Sequence, residues 1–204
     1  MVIAGWTGRN RAAVERHILE LEKLGVSRPA STPIFYRVAA SRLTTAPEIQ
    51  VTGERSSGEV ETIILRYRGK LWVGAGSDHT DREVETYGVT VSKQVCDKPI
   101  APEVWPHSEV EDHWDRLLLR SWATIGGERR LYQEGPVQAM LPPLDLIGRY
   151  TDGKELAEDT LMFGGTLATL TEVTPATRFE FEIEDPILGR KIGHAYEIVA
   201  LPIL

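Results

Sequence analysis

Three carboxylates, Glu59, Glu61 and Asp78, flank a predicted β-hairpin in the first half of the chain. A run of β-branched and aliphatic residues, an Arg-Gly pair and a second apolar run predict this hairpin. Residues two apart in a strand face the same side, so Glu59 and Glu61 share a face. With a two-residue loop, Tyr67 pairs with Lys70. Continuing along the ladder places Asp78 opposite Glu59, with Cβ atoms roughly 5 Å apart. We therefore expect the three carboxylates to form one patch.

Such a patch could hold a metal ion. Like charges at this spacing repel, so at least one carboxyl group must be protonated or neutralised. A hard divalent cation such as Mg²⁺ or Mn²⁺ prefers oxygen ligands and keeps waters that a substrate can displace. Two alternatives stay open. Glutamates at i and i+2 are also typical of a solvated strand face. A turn at Gly69-Lys70 would shift the register and separate Asp78 from the glutamates.

Composition limits the class of protein. The chain has 204 residues, 42% hydrophobic and 26% charged, which suits a single globular domain spanning 1–204. The net charge of −7 argues against nucleic acid or an anionic membrane as a partner. No apolar run approaches the roughly 20 residues of a membrane helix, and the first residues do not resemble a signal peptide. The single cysteine, Cys96, excludes an intramolecular disulfide and fits a cytoplasmic location.

Local patterns predict a β-rich α+β fold. Helices are predicted from Arg11, from 142 to 147, and from Ser108 through Trp122 on a capping-box signature. Many short strands at close spacing, with only three convincing helices, favour this class. The strands are predicted at 2–4, 34–38, 49–52, 60–67, 71–73, 88–91, 121–124, 129–132, 161–166, 178–183 and 195–201.

One series of motifs resembles a known family. The order E-V-E, hairpin and then S-D-H-T-D-R-E at 77–83 resembles the fumarylacetoacetate hydrolase family, whose pattern is E-x-E followed by N-D-x-S-x-R-D. Asp78 stands at the family's metal-binding Asp and Arg82 at its Arg. The resemblance implies that Glu59, Glu61 and Asp78 bind Mg²⁺ or Mn²⁺. The run G-S-D-H-T-D-R with the later S-K-Q-x-C is most similar to a bacterial group described as a domain of unknown function.

The resemblance also implies a fold and further site residues. The fold would be the family's mixed β-sandwich roll with a few peripheral helices, and because dimers are common in the family we expect a homodimer. A lysine beside a metal can steady developing negative charge, and an arginine can clamp a carboxylate with two parallel hydrogen bonds. The residues matched to catalytic roles are Lys93, Gln133 and Thr166, and those matched to substrate binding are Arg37, Ser41, Arg82 and Gly165.

The sequence departs from the family at the first helix. G-R-N at 8–10 resembles the start of the family's fold, where Y-x-x-H and a Glu follow and form a catalytic dyad in some members. Here Arg11 replaces the Tyr, and Val14 stands where the His would be. Glu15 and His17 lie on the same predicted helix and could substitute, so His17 is a candidate catalytic residue.

We therefore expect a divalent-metal-dependent enzyme acting on a small oxo-acid or β-dicarbonyl. The reaction would be C–C bond hydrolysis or decarboxylation through a metal-stabilised enolate. Hydrolysis needs a positioned base for water. His79 and Glu85 are further candidates for that base, although His79 would face away from Asp78 in a regular strand. Two alternatives remain: a non-catalytic metal- or ligand-binding protein that keeps the fold, favoured by the lost dyad, and a sugar-acid dehydratase that shares the metal.

Overall fold

The structure is a computed structural model that describes residues 1–23 and 28–203, apart from the side chains at positions 17, 20, 21 and 23. Within those residues, no helix is both long enough and apolar enough to cross a membrane. Strands dominate. In chain order they are β1 (Val2–Gly5), β2 (Ile34–Arg37), β3 (Leu43–Thr44), β4 (Glu48–Thr52), β5 (Ser56–Ser57), β6 (Val60–Tyr67), β7 (Lys70–Ser77), β8 (Thr80–Asp81), β9 (Lys98–Pro99), β10 (Trp105–Pro106), β11 (Leu118–Ile125), β12 (Glu128–Pro136), β13 (Thr160–Thr166), β14 (Arg178–Asp185) and β15 (Arg190–Leu201).

Two mixed sheets contain most of these strands. The first has six strands in the order β10-β7-β6-β13-β1-β2, and the second has five in the order β12-β11-β14-β15-β4. Two small ladders, β3-β9 and β5-β8, lie beside them. β1 and β13 are parallel neighbours, so their carboxyl ends lie at the same edge of the first sheet.

Helices are few and short. They are α1 (Arg11–Lys23), α2 (Arg82–Glu85), α3 (Val89–Val95) and α4 (Pro143–Thr151). Short 3₁₀ segments occupy Ala40–Arg42, His107–Glu109, Glu111–Arg116 and Val137–Ala139. The expected fold class, a β-rich α+β roll with peripheral helices, is confirmed.

The main core lies between the two sheets. β14 alternates strictly, with every second side chain buried, because one face of its sheet packs on the core and the other meets solvent. Core side chains come from both sheets, including Val60 and Val73 from the first and Phe179, Phe181 and Tyr196 from the second. The opposite face of the first sheet buries a smaller cluster that includes Ile3, Ile63 and Phe163. This smaller face is the one on which Glu61 lies, two residues before Ile63.

The predicted hairpin register is confirmed. Tyr67 pairs with Lys70 and Val60 with Ser77, and the Asp78 N–H donates to the Glu59 carbonyl at 3.0 Å. The two loop residues, Arg68 and Gly69, have φ of 52° and 70°. Positive φ at both positions matches the right-handed twist of the flanking strands. The shifted register, with its turn one residue later, is therefore not formed.

Two predicted elements are wrong. Residues 88–91, expected as a strand, begin helix α3 instead, which exposes Val91 and buries Ser92 and Lys93. The helix expected from Ser108 through Trp122 is replaced by 3₁₀ turns up to Arg116 and then by β11. Val110 and Trp114 are both buried and lie four positions apart, a spacing that puts two residues on one face of either a helix or a strand. The apolar pattern alone therefore did not distinguish a helix from a strand.

Candidate metal centre

The three predicted carboxylates meet at the open end of the hairpin. Glu59, Glu61 and Asp78 each offer an oxygen atom, and these atoms lie within 4.8 Å of one another. Asp78 is completely buried and Glu61 is 3% exposed. β-ladder pairing brings Asp78 against Glu59, and the two-residue strand period puts Glu61 on the same face. The hairpin therefore builds the carboxylate cluster by itself.

Glu61 has no cationic partner among the described residues. Its one hydrogen bond comes from the Gly165 N–H, which donates to Oε2 at 2.7 Å. Burial and the neighbouring negative charge of Asp78 raise the pKa of Glu61 well above its ordinary value. A buried carboxyl with a single donor is the group in this cluster that most needs a cation.

Asp78 carries two lysine partners. Lys93 Nζ donates to Oδ2, and Lys98 Nζ lies 3.1 Å from Oδ1. Burial alone would raise the pKa of Asp78, but the two ammonium groups lower it to about 2. The Thr80 hydroxyl donates to the Asp78 carbonyl at 2.9 Å, which fixes the chain as it leaves the hairpin.

Glu59 is held by Arg82. The guanidinium Nη2 lies 2.9 Å from Glu59 Oε1, while the other nitrogens donate to Ser57 and Glu85. Asp81 caps α2 by accepting two backbone N–H bonds, so Arg82 starts the helix at a fixed position. Arg82 therefore orients a carboxylate of the centre. Glu85, one of the possible bases, has an oxygen bonded to Arg82 at 2.9 Å.

Lys98 was not singled out from the sequence. It lies in β9, is fully buried, and also donates to the carbonyl of His79. It lies five positions after Lys93, a spacing that matches neither one helix face nor one strand face. Both lysines reach Asp78 because the chain changes from α3 to β9 at Cys96–Asp97. A lysine before a proline gives no local signal of such burial.

Gln133 and Thr166 lie next to the centre and bond to each other. The Gln133 amide donates to Thr166 Oγ1 and to the Leu167 carbonyl, both at 2.7 Å, and its oxygen accepts from the Val60 N–H at 2.9 Å and from the Ser121 hydroxyl at 3.0 Å. Thr166 Oγ1 in turn donates to the Val60 carbonyl at 2.7 Å. Protein groups thus occupy both ends of the Gln133 side chain, which ties the 165–167 loop to the start of β6. A role in substrate contact stays a prediction for both residues.

His79 points away from Asp78, as the strand alternation predicts. Its ring nitrogens bond to the Tyr196 and Ser56 hydroxyls, each at 2.9 Å, and Tyr196 also bonds to Ser77 at 2.8 Å. Burial lowers the pKa of His79 to about 3, so the ring is neutral. His79 therefore braces the end of β7 against the second sheet, and it does not face the carboxylates as a base would.

Arg37 is not brought to the centre. Its guanidinium donates to the Tyr150 hydroxyl at 3.0 Å, on the face of the first sheet that α4 covers. Tyr36, its neighbour, lies on the other face and under the Lys93 ammonium, 5.8 Å from the ring centre. Arg37 was expected to clamp a substrate carboxylate at the centre. The structure corrects this expectation, because strand alternation turns the Arg37 side chain away from Glu61.

The remaining residues singled out from the sequence make no contact with the three carboxylates among the interactions described. Ser41 lies exposed in a 3₁₀ turn that borders α3, where the Gln94 side chain accepts the Ala39 N–H at 2.9 Å. His17 belongs to α1, but its side chain lies outside the described residues. Cys96 is 2% exposed, and burial raises its thiol pKa to about 11, in keeping with a packed, unreactive cysteine.

A groove of about 430 Å³ opens between α1, the residues that follow β1 and α4. Its lining includes Trp6 and Gly8, which flank Thr7, and Val14 from α1. The Thr7 side chain lies against Gly165, whose N–H binds Glu61. Thr7 therefore connects the segment that lines the groove to the loop at Gly165.

Gly165→Ala is expected to damage the site and the fold together. Gly165 has φ of +93°, and a Cβ there would overlap the Thr7 hydroxyl. Strain and displacement together should lower the free energy of unfolding by about 2–4 kcal/mol. Urea denaturation measures the loss. Gly148→Ala is the matched control, because Gly148 lies inside α4 with no atom within 4 Å of an added Cβ, and it should be neutral or stabilising. Equal stability of the two variants would contradict the predicted contact.

The donor set fits a hard divalent cation. Oxygen atoms bound to one ion at about 2.1 Å lie up to about 4.2 Å apart, and at about 2.5 Å up to about 5 Å apart. The observed limit of 4.8 Å falls within reach of one cation after small carboxylate rotations. The Glu61 carboxylate, which forms no ion pair in the described part of the chain, would be neutralised by such a cation, and all three donors are hard oxygen atoms. Glu59, Glu61 and Asp78 would hold the ion.

Comparison with known proteins finds structures with the same fold. The fumarylacetoacetate hydrolase family protein ynq8 of yeast aligns over 100% of this chain and 93% of its own, with a TM-score of 0.70 and 15% identity. A 2-keto-3-deoxy-D-arabinonate dehydratase complexed with magnesium and 2,5-dioxopentanoate aligns over 98% of this chain and 73% of its own, with a TM-score of 0.64 and 14% identity. The 4-oxalocrotonate decarboxylase of Pseudomonas putida G7, complexed with calcium and acetate, aligns over 97% of this chain and 76% of its own, with a TM-score of 0.62 and 14% identity.

These likenesses show that the fold is that of fumarylacetoacetate hydrolase-like proteins. By sequence, no curated protein matches the chain. A family model described as "Protein of unknown function (DUF2848)" matches residues 4–196. The match extends from β1 to β15 and includes every residue of the candidate centre. The chain therefore belongs to the DUF2848 family.

Proposed function

We propose that this protein is a divalent-metal-dependent enzyme that acts on a small oxo-acid or β-dicarbonyl substrate, with Mg²⁺ or Mn²⁺ as the expected ion. The observation that carries the proposal is Glu61, a buried carboxylate that forms no ion pair with any described residue and lies against two other carboxylates. A divalent cation at this position supplies Lewis acidity for a chelated carbonyl oxygen.

The charges around the centre favour an anionic substrate. The three carboxylates are matched by three buried or half-buried cations, Lys93, Lys98 and Arg82. Arg82 also pairs with Glu85, so an added divalent cation leaves a formal excess of one positive charge in a poorly solvated site. A substrate that brings a carboxylate and a developing negative charge on its neighbouring oxygen would offset that excess.

Lys93 is the residue of this chain best suited to stabilise the developing charge. Its side chain is 8% exposed, whereas that of Lys98 is fully buried. The ion pair with Asp78 raises the Lys93 pKa, against the opposing effect of burial, so the group stays an ammonium ion. A fixed positive charge beside the reacting carbonyl stabilises charge that develops there without moving a proton.

Decarboxylation is supported better than hydrolysis. Hydrolysis needs a base that activates water. Of the candidate bases named above, Arg28 binds both oxygens of Glu15 at 2.6–2.7 Å, and Arg82 binds Glu85 at 2.9 Å. Val14 offers no proton acceptor. Loss of CO₂ from a β-oxo acid needs an electron sink and no activated water, which matches the groups at hand.

Two alternatives have an observation in their favour. The magnesium-bound dehydratase among the structural relatives favours dehydration of a sugar acid. The apolar Val14 in the groove favours a non-catalytic binding protein. The test is to incubate the protein with oxaloacetate, an acylpyruvate and a 2-keto-3-deoxy sugar acid in Mg²⁺ or Mn²⁺, and to follow products by NMR. We expect oxaloacetate loss above the metal-only blank and none in EDTA. Binding of all three without product would contradict an enzyme.

Metal affinity should rise with pH. Glu61 must lose its proton to bind a cation, and burial with the neighbouring charge of Asp78 raises its pKa, so a lower proton concentration favours metal binding. A raised pKa also affects stability, because the folded protein then holds this proton more tightly than the unfolded chain does. The free energy of unfolding of the metal-free protein should therefore fall as the pH rises from the ordinary Glu pKa to the raised pKa of Glu61. We expect Mn²⁺ binding to release a proton. Calorimetry at one pH in two buffers of different ionisation enthalpy detects this release. An enthalpy independent of the buffer would mean that Glu61 is already ionised.

The homodimer expected from the family stays a prediction, as does the cytoplasmic location. Light scattering of the purified protein at several concentrations tests the dimer. A mass of one chain, 22.8 kDa, throughout would contradict it.

A further inference from the structure

We propose that Tyr36 is a further catalytic residue of the candidate centre, whose hydroxyl donates a hydrogen bond to the substrate oxygen that becomes negatively charged, beside the Lys93 ammonium. The ligand that it recognises is an oxo-acid in its enolate form, chelated by the metal. This inference rests on the proposed function, because the metal must hold the substrate in place.

Tyr36 lies on the same face of the first sheet as Glu61. Tyr36 is in register with Ile3 of the neighbouring strand, and Ile3 is in register with Phe163. Phe163 is in turn in register with Ile63. Residues in register on neighbouring strands share a face, and Glu61 lies two positions before Ile63 on that same face. Tyr36 therefore belongs to the side of the sheet that carries the carboxylates.

The Tyr36 ring leans toward the edge of the sheet at which Glu61 is bound. A Cβ atom on Gly5 would lie 3.0 Å from Tyr36 Cε2 and 3.9 Å from Cδ2, so the hydroxyl-bearing end of the ring is the end nearer Gly5. Gly5 ends β1, and the carboxyl ends of β1 and β13 share one edge. The Gly165 N–H binds Glu61 at that edge. The hydroxyl is therefore directed toward the edge that carries the centre.

Lys93 connects Tyr36 to the carboxylates. The Lys93 ammonium lies 5.8 Å from the centre of the Tyr36 ring, within the range of a cation–π contact, and donates to Asp78. An ammonium ion has three donors, and Asp78 is the one hydrogen-bond partner of Lys93 in the described part of the chain. Lys93 can therefore bind a substrate oxygen as well, and an oxygen bound there lies beside Tyr36.

The Tyr36 hydroxyl has a donor to offer. It forms no hydrogen bond with any residue in 1–23 or 28–203. Within those ranges, the buried side-chain atoms that lack a partner belong to Arg42, Trp114, Tyr132 and Arg190, so the hydroxyl of the half-buried Tyr36 is open to solvent. Burial raises the pKa of Tyr36, and the Lys93 ammonium opposes this rise without cancelling it. The hydroxyl therefore keeps its proton at neutral pH.

Three other neutral donors near the centre are occupied. The Gln133 amide donates to Thr166 and to a backbone carbonyl, and the Thr166 hydroxyl donates to the Val60 carbonyl. Both ring nitrogens of His79 bind hydroxyl groups on the other side of β7. Of these four residues, Tyr36 is the one that can donate to a substrate. A neutral donor fixed beside a positive charge is the arrangement that stabilises an enolate oxygen.

Tyr36→Phe tests the proposal, because it removes the hydroxyl and keeps the ring beside Lys93. The matched control is Tyr150→Phe, which removes a hydroxyl on the opposite face of the first sheet, where Arg37 donates to it. Each protein is loaded with Mn²⁺ and assayed for kcat and KM with oxaloacetate. Calorimetry measures its affinity for oxalate, a planar dianion that carries charge on both chelating oxygens.

We expect Tyr36→Phe to lower kcat by about 100-fold and to change KM by less than about threefold, because the hydroxyl would act on charge that develops during the reaction. Oxalate affinity should fall by about tenfold, as for a lost hydrogen bond to a charged group. Mn²⁺ affinity should stay within about twofold of the parent. Tyr150→Phe should leave all of these values unchanged.

The double variant with Lys93→Met shows whether both groups contact one oxygen. Its loss of kcat should be smaller than the product of the two single losses, because residues that share a partner are coupled. Losses that multiply independently would overturn the shared oxygen. Unchanged kcat and oxalate affinity in Tyr36→Phe would overturn the inference as a whole. A loss of Mn²⁺ affinity as large as the loss of oxalate affinity would also overturn it, because Tyr36 would then only support the metal ligands.

Failure of the proposed function gives a different pattern. A parent that binds no Mn²⁺, or that binds oxalate equally with and without Mn²⁺, lacks the proposed centre, and the role of Tyr36 falls with it. A parent that binds both but turns over no oxo-acid is not the proposed enzyme. In that case the oxalate affinities of Tyr36→Phe and Tyr150→Phe still decide whether the Tyr36 hydroxyl contacts the ligand.

Discussion

Replacing Asp78 by asparagine is expected to weaken Mn²⁺ binding by more than about 100-fold and to destabilise the fold at the same time. The metal effect follows because loss of an outer partner of a metal ligand already costs about 10–100-fold, and Asp78 would be a ligand. The stability effect follows because Asp78 neutralises two buried lysines. Removing one member of a buried charge cluster leaves uncompensated charge in the interior.

The size of the stability loss can be bounded. Asp78 has a pKa of about 2 in the fold, against 3.8 ordinarily, which corresponds to about 2–3 kcal/mol of stabilisation near neutral pH. This contribution is present above the ordinary pKa and is lost as the pH falls toward 2. Measured costs of breaking buried pairs are about 3–5 kcal/mol. We therefore expect Asp78→Asn to lose about 2–5 kcal/mol in urea denaturation.

Glu59→Gln is the matched control for this variant. Glu59 is also in the cluster, but its side chain is 20% exposed and its partner Arg82 keeps a second carboxylate, Glu85. It should therefore weaken Mn²⁺ binding with a stability loss of less than about 1 kcal/mol. If Asp78→Asn were as stable as the parent, the two lysines would not depend on Asp78 as described. If it also bound Mn²⁺ as tightly, the carboxylate cluster would not be the metal site.

Lys93→Met is expected to lower turnover of the best oxo-acid substrate by about 100-fold or more while Mn²⁺ still binds. Removal of one preorganised charge that faces developing negative charge costs about 10²–10³-fold in kcat. Lys98 would still neutralise Asp78, so the metal ligand keeps a low pKa and the cation keeps its three carboxylates. The measurement is kcat under saturating Mn²⁺, together with the Mn²⁺ dissociation constant.

Lys98→Met separates the roles of the two lysines. Lys98 is fully buried and bonds to the His79 carbonyl as well as to Asp78, so its loss should lower stability and Mn²⁺ affinity more than kcat. The opposite pattern, a larger loss of kcat in Lys98→Met than in Lys93→Met, would show that the charge facing the substrate had been assigned to the wrong lysine.

Local rules predicted the hairpin and its carboxylates from the sequence. The Arg68-Gly69 turn fixes the register, and alternation then places Glu59, Glu61 and Asp78 without any information from the rest of the chain. Strand alternation also puts Arg37 and Tyr36, which are adjacent in sequence, on opposite faces of the first sheet. Only Tyr36 lies on the face of Lys93, so Arg37 could have been predicted to point away from it.

Contacts between distant segments could not be predicted. Tyr196 reaches Ser77 and His79 from a strand 117 or more residues away, and no local pattern marks its hydroxyl as their partner. From the sequence, Lys98 would be predicted to lie on the surface. Its burial depends on the bend between α3 and β9, which no local pattern predicts. The β-branched run that begins α3 favours a strand locally, and the packing of Lys93 on Asp78 favours the helix.

The most direct test of the metal centre is a Mn²⁺ titration of the parent and Glu61→Gln, with free Mn²⁺ measured by electron paramagnetic resonance. Glu61→Gln keeps the shape of the side chain and an acceptor for the Gly165 N–H, and removes the charge of a carboxyl group that forms no ion pair within residues 1–23 and 28–203. We predict one Mn²⁺ site per chain in the parent, displaced by Mg²⁺, and no such site in the variant. The parent should also melt at a higher temperature with Mn²⁺, by about 2.7 kcal/mol of stabilisation at a hundredfold excess over the dissociation constant. No bound Mn²⁺ in the parent, or equal binding by both proteins, would contradict a metal centre on Glu59, Glu61 and Asp78.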